Sequence, residues 1–148
     1  MNLAPWTDEP GVIELVDGRR VRGRGLRDGL PPGPEPEFGL YLLGKPPPTV
    51  PWASRWLRWP DFRVPSDAAD AADAFREAFA RCVGERVELA CGGGTGRTGT
   101  ALACLAILAG TPPEDAVSFV RAHYRRRAVE TPGQRRFVRT FGRAINAS

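Results

Sequence analysis

The sequence predicts a small α/β fold, a mixed central sheet flanked by helices, with residues 1–148 forming a single domain. Three observations carry that expectation. All but three of the 15 prolines lie before residue 66, so the first half reads as strands and loops. Beyond residue 66 the apolar residues recur at helical spacing. Between the two regimes stands one strand–turn–helix unit, residues 86–109.

Each element has its own signal. Asp17-Gly18 separates the apolar run 12–16 from 19–22, and both turn residues tolerate the positive φ of a hairpin. Residues 31–36 are a Pro-rich loop, Phe38–Leu43 a strand, and 45–51 a second Pro-rich connection. Trp52, Trp56 and Trp59 then pack over a sheet edge or a loop base. Ser66 caps a helix running to about Cys82, with Ala71, Phe75, Phe79 and Cys82 on one stripe. Residues 86–90 are a short strand, 91–96 a Gly-rich turn, and 97–109 a helix ended by Gly110. Thr111-Pro112-Pro113-Glu114 is a capping box that opens a helix to about Arg127. Thr131-Pro132-Gly133-Gln134 repeats the device for a last helix with the stripe Phe137, Val138, Phe141 and Ile145.

Composition narrows the function. At 42% hydrophobic and 26% charged residues the chain is globular rather than disordered. Its longest apolar run, 101–110, is about half of what a bilayer crossing needs. The start lacks the basic-then-apolar pattern of a signal peptide, so no membrane insertion or secretion is expected. The three cysteines, Cys82, Cys91 and Cys104, include no C-x-x-C pair. That is poor material for a disulfide framework or a zinc site, and it suits a reducing cytoplasm. The net charge is +4, and every basic residue but Lys45 is arginine. Arginine's planar fork suits phosphate, although a solvated surface gives the same count. The arginines lack interleaved aromatics, which argues against nucleic acid.

The informative segment is Cys91-Gly92-Gly93-Gly94-Thr95-Gly96-Arg97-Thr98-Gly99. A strand feeds a loop of small residues, which feeds a helix N-terminus. Backbone N–H groups turned inward and the helix dipole together make an oxyanion cradle from Gly92, Gly93, Gly94, Thr95 and Gly96. A cysteine at its lip is held as thiolate by those donors and by Arg97. Arg97 offers two donors to an oxyanion, and the Thr98 hydroxyl can steady the sulfur as nucleophile and as leaving group. A Walker loop requires Lys where Arg97 stands, and a dinucleotide fingerprint requires an acidic-ended strand that residues after 110 do not supply. The remaining chemistry is thiolate attack on a phosphate ester. Its leaving oxygen needs a general acid, which Asp61 in Trp59-Pro60-Asp61-Phe62-Arg63-Val64-Pro65 can supply. Pro-Asp is otherwise only a turn signal.

Residues 91–99 resemble the C-x5-R signature loop of the protein tyrosine phosphatases, and 59–61 resemble their movable Trp-Pro-Asp loop. Thr131-x-x-Gln134 with Phe137 is similar, more weakly, to their Gln loop. The resemblance spans residues 59 to about 141. It implies a tyrosine phosphatase-like fold, Cys91 as nucleophile, Arg97 as phosphate clamp, Thr98 as aid to the leaving thiolate and Asp61 as acid, then base. It implies that Gln134 positions the hydrolytic water, although Gln134 is also the third residue of a capping box. Two departures stand out. Ala90 replaces the His usually found before the nucleophile, the only histidine being His123 in mid-helix, and no aromatic substrate-recognition loop is present.

The resemblance implies an enzyme without metal or organic cofactor that hydrolyses phosphotyrosine, and also phosphoserine or phosphothreonine, in a phosphoprotein substrate. Two alternatives remain open. One is a phosphoinositide or other small phosphoester phosphatase with a basic rim of Arg121, Arg125, Arg126, Arg127, Arg135 and Arg136. The other is a pseudo-enzyme that binds phosphate without turnover. Oligomeric state is unknown.

Overall fold

Residues 87–91 form the strand on which the molecule is organised. The computed structural model describes residues 5–147, so the start, where a signal peptide would begin, lies mostly outside it. Five strands form one sheet in the order β1-β2-β5-β3-β4. They are β1 (Val12–Glu14), β2 (Arg20–Gly25), β3 (Phe38–Leu43), β4 (Ala53–Arg58) and β5 (Val87–Cys91). Only β1 and β2 are antiparallel, joined through the expected turn, where Gly18 takes φ 94°. β5 pairs in parallel with β2 on one side and β3 on the other. Four helices follow the chain: α1 (Ala68–Arg81), α2 (Gly96–Ala109), α3 (Ala116–His123) and α4 (Pro132–Ala147). The fold is a small mixed α/β sheet with helices, as the sequence predicts.

Three elements differ from expectation. β4 is an addition, because the prolines of 44–52 and 60 hide a strand that pairs in parallel with β3. Trp56 lies on this edge strand, its Nε1 donating to the Leu43 carbonyl at 2.8 Å, and Trp59 forms a loop base. Helix α1 is capped by Asp67 rather than Ser66. The Asp67 carboxylate accepts from the amides of Ala69 and Asp70, while the Ser66 amide is taken by the Arg58 carbonyl. The Thr111 box does not form. A 3-10 turn over Pro113–Asp115 precedes α3, which stops at His123, four residues short of Arg127. The Thr111 hydroxyl is buried with no hydrogen-bond partner.

The two faces of the sheet are closed by different physics. Val87, Leu89 and Cys91 of β5 point into one apolar core with α1, α2 and α4, where Phe75 packs edge-on to Phe137 and Phe141. Glu88 points the other way and is fully buried. Its carboxylate accepts from Arg22 Nη2 at 2.7 Å, from Arg24 Nε and Nη2 at 2.8 and 2.7 Å, and from Tyr41 Oη at 2.9 Å. Trp52 Nε1 donates to Tyr41 Oη, and Arg22 lies over the Trp6 ring. One acid thus ties β2, β5 and β3 together. Burial alone would push the Glu88 carboxyl up, but the hydrogen bonds and charge of Arg24 and Arg22 outweigh it and hold it below the usual range.

Glu88→Gln should strand two buried guanidinium groups and lower stability by about 3–5 kcal/mol. Urea unfolding of wild type and variant measures this. The folded-state pKa is depressed, so the wild-type advantage is complete above the ordinary carboxylate value and fades as pH falls through the lowered one. A difference that grows on acidification would contradict the assignment.

Candidate active site

The central strand β5 delivers Cys91 to the carboxyl edge of the parallel strands, where α/β sheets place their ligands. The Cys91 side chain is nearly buried, and its Sγ accepts from the Gly94 amide at 3.2 Å and from Thr98 Oγ1 at 3.0 Å. The loop after it is held from outside by its carbonyls. Gly92 O accepts from the Arg27 amide at 3.1 Å, Gly93 O from Arg125 Nη1 at 2.8 Å, and Gly94 O from Tyr124 Oη at 2.5 Å. A planar trans peptide points its N–H opposite to its C=O. The amides of Gly93, Gly94 and Thr95 therefore point away from those outer partners, and that of Gly94 meets the sulfur. Gly94 takes φ 75°, and a Cβ there would lie 2.5 Å from the Gly25 amide nitrogen, so this position requires glycine.

Just past the end of α3, Tyr124 and Arg125 both bond to this loop. Arg125 Nη1 also reaches Thr95 Oγ1 at 3.1 Å. Tyr124 carries no motif, and Arg125 stands out in the sequence only as one of six arginines of a basic rim, not as a support of the loop.

Arg97 stands one residue inside α2, with 5% of its surface exposed. Its Nη1 donates to the Trp59 carbonyl at 3.0 Å, and its Nε lies 3.5 Å from Asp61 Oδ1 with no hydrogen bond of its own. Asp61 Oδ1 accepts from the Phe62 amide at 2.9 Å, and Phe62 is held at φ 63°, a costly conformation for a non-glycine residue. The loop is anchored at both ends. Trp59 is fully buried against Phe75 and Phe137, and its Nε1 donates to the Arg63 carbonyl at 2.6 Å.

Gln134 is also fully buried, and both ends of its amide are engaged. Its Oε1 accepts from the Glu130 and Thr131 amides, its backbone amide donates to Thr131 Oγ1 at 3.1 Å, and its Nε2 donates to the Arg63 carbonyl at 3.1 Å. The capping box is formed, and the same side chain ties α4 to the Asp61 loop.

A cavity of about 230 Å³ brings together Asp61, Cys91, Gly93, Thr95, Gly96 and Arg97, and Gly92 lines the groove beside it. To the expected set the structure adds Arg27, Phe62 and Glu130, all unmarked in the sequence. The basic rim that the phosphoinositide alternative would use is not found at this cavity. None of those six arginines lines the cavity. Arg121 instead donates to the Ala128 and Val129 carbonyls, both at 2.8 Å. His123 is exposed and stacks on Phe119. Burial pushes the Cys82 thiol up to about 12 and Cys104 well above its ordinary value, which leaves both inert as nucleophiles.

Among solved structures, the chain is similar to Tk-PTP in its active form, with a TM-score of 0.70 at 21% identity, covering 90% of this chain and 97% of that one. This is the fold of the tyrosine and dual-specificity phosphatases. Kinase-associated phosphatase, solved with its catalytic-site cysteine changed to serine, shares the phosphatase fold at a TM-score of 0.61 and 19% identity, over 76% of this chain and 71% of that one. PTPMT1 in complex with PI(5)P shares it at a TM-score of 0.61 and 16% identity, over 75% and 79%. No protein-family model matches the sequence, and no curated protein matches it. Among the described residues, no helix of this phosphatase fold is long and apolar enough to cross a membrane.

Proposed function

We propose that the chain is a phosphomonoesterase that hydrolyses phosphotyrosine in proteins through a cysteinyl-phosphate, with residues 1–148 acting as one phosphatase domain. The observation that carries this reading is the Cys91 sulfur, met by the Gly94 amide and the Thr98 hydroxyl, with Arg97 and Asp61 at the same cavity. The Cys91 thiolate attacks phosphorus, the ester P–O bond breaks, and Asp61 gives its proton to the leaving oxygen. Water then attacks the phosphorus, Asp61 takes the proton, and the S–P bond breaks to return the thiolate, to which Thr98 donates. The loop amides and Arg97 hold the phosphoryl oxygens in both steps. Arg97 has donors for this that the Trp59 carbonyl leaves free, Nε among them. The hydrogen bonds of Gln134 support holding the Asp61 loop rather than orienting water. Phe62, 61% exposed at the cavity, suits an aromatic leaving group.

Turnover of a phosphotyrosine peptide, a phosphoserine peptide and a phosphoinositide tests the substrate class. The phosphotyrosine peptide should be fastest, with activity unchanged by a chelator. Turnover of the lipid alone would favour the second reading, for which the PI(5)P complex of PTPMT1 speaks.

Arg125→Ala should leave folding intact and weaken inhibition by vanadate by about tenfold, since it frees Gly93 and Thr95 to rotate out of line. Vanadate titration of the variant beside a thermal melt checks this. Unchanged inhibition would mean the loop keeps its shape without the outer hold.

A further inference from the structure

We infer that a groove leading out of the active-site cavity is a subsite for an acidic side chain of a peptide substrate, engaged by Arg27 and Lys45. The inference rests on the phosphotyrosine reading above. The groove, about 530 Å³, shares Arg27, Asp61 and Arg97 with the cavity, and its other walls are Leu43, Pro46 and Pro60. Arg27 follows β2 on the 3-10 turn Leu26–Asp28, and its amide bond to Gly92 fixes that turn to the signature loop. Its guanidinium lies over the same loop. A Cβ on Gly92 would stand 3.0 Å from Nη2, and one on Gly93 would stand 3.4 Å from Nη1. Lys45 comes just after β3, beside Gly44, where a Cβ would lie 3.3 Å from Pro60 Cα. The two cations thus line one groove, Arg27 tied to the cradle and Lys45 following the glycine that abuts the Asp61 loop.

Their charges are uncommitted. Among the described residues neither Arg27 nor Lys45 has an ion-pair partner, whereas Arg97, the third cation of the groove, faces Asp61. The scissile phosphate is already neutralised by the loop amides and Arg97. A second anion on the substrate is what Arg27 and Lys45 are free to meet. The apolar walls favour a peptide over a phosphorylated polyol. A polyol would leave its hydroxyls facing Leu43, Pro46 and Pro60 without partners, whereas a peptide can lay methylenes there and extend a carboxylate to the cations.

The test compares kcat/KM for two phosphotyrosine peptides that differ only by Glu or Gln beside the phosphotyrosine. Wild type should prefer the Glu peptide by about tenfold at low salt, and the preference should shrink as salt is added, because both cations are exposed. The double variant Arg27→Gln/Lys45→Gln should bring the ratio near one, and Lys45→Glu alone should also bring it toward one, because the new carboxylate opposes Arg27. Equal use of both peptides by wild type, or a preference that survives in the double variant, overturns the subsite while leaving the phosphotyrosine reading standing. No turnover of either peptide would instead sink that reading. A phosphoinositide arm separates the sources. If the double variant loses only lipid turnover and keeps its peptide preference, the groove binds a headgroup and the peptide proposal fails.

Discussion

Cys91→Ser is expected to lower turnover of an aryl phosphate by about 10⁴–10⁶-fold while inorganic phosphate still binds. The two functions separate because different atoms carry them. Around the sulfur the structure places donors, the Gly94 amide and the Thr98 hydroxyl, which stabilise an anion. A serine hydroxyl there keeps its proton, since the same donors offer no base to take it. The amides proposed to hold the phosphate are those of Gly93, Gly94 and Thr95, and the carbonyls before them are held by Arg27, Arg125 and Tyr124, none of which is touched. Steady-state rates on an aryl phosphate, paired with calorimetric titration of phosphate, provide the measurement. A variant that keeps wild-type turnover would falsify Cys91 as nucleophile.

Asp61→Ala should cost about 10²–10⁴-fold on substrates with poor leaving groups and far less on those with good ones. Protonating the departing oxygen matters only when its negative charge is expensive. Substrate affinity should persist, because Arg97 and the loop remain. Plotting kcat/KM against leaving-group pKa gives a steeper dependence in the variant if Asp61 is the acid. Parallel lines would point to another carboxylate, and the structure restricts the choice. Asp67 caps α1, while Asp70 and Asp73 are engaged by Arg55. Glu130 is the other carboxylate at the cavity, against Gly96, and would be next in line.

What can be read from the sequence is local. The segment from β5 through Gly99 announces itself because strand, loop, donors and nucleophile are contiguous, and the structure folds it as expected. The Asp17-Gly18 turn and the Thr131 box are equally local, each completed within a few residues. What escapes is what depends on distant partners. Arg27, Tyr124 and Arg125 belong to turns after β2 and α3 and acquire meaning only where those turns meet the loop. Where a helix to Arg127 is expected, α3 ends at His123, and the next two side chains satisfy carbonyls thirty-odd positions upstream. β4 escapes because its proline-rich flanks read as loop, although its pairing with β3 runs over six residue pairs. One further signal lies in plain view. Arg22 and Arg24 alternate along β2, and buried charges at period two on an inner strand require a buried counter-charge, here Glu88, while Arg20 at the open end of the strand pairs with Glu14.

That counter-charge also constrains how such a sequence can drift. Losing Glu88 leaves Arg22 and Arg24 stranded, and losing either arginine leaves a buried carboxylate short of donors, so every single step out is costly. Replacing all three by apolar residues of matching volume in one move carries no such penalty and can even stabilise. The knot behind the sheet is therefore walled on both sides, since the unpaired-charge intermediates that block the way out by single substitutions equally block the way in.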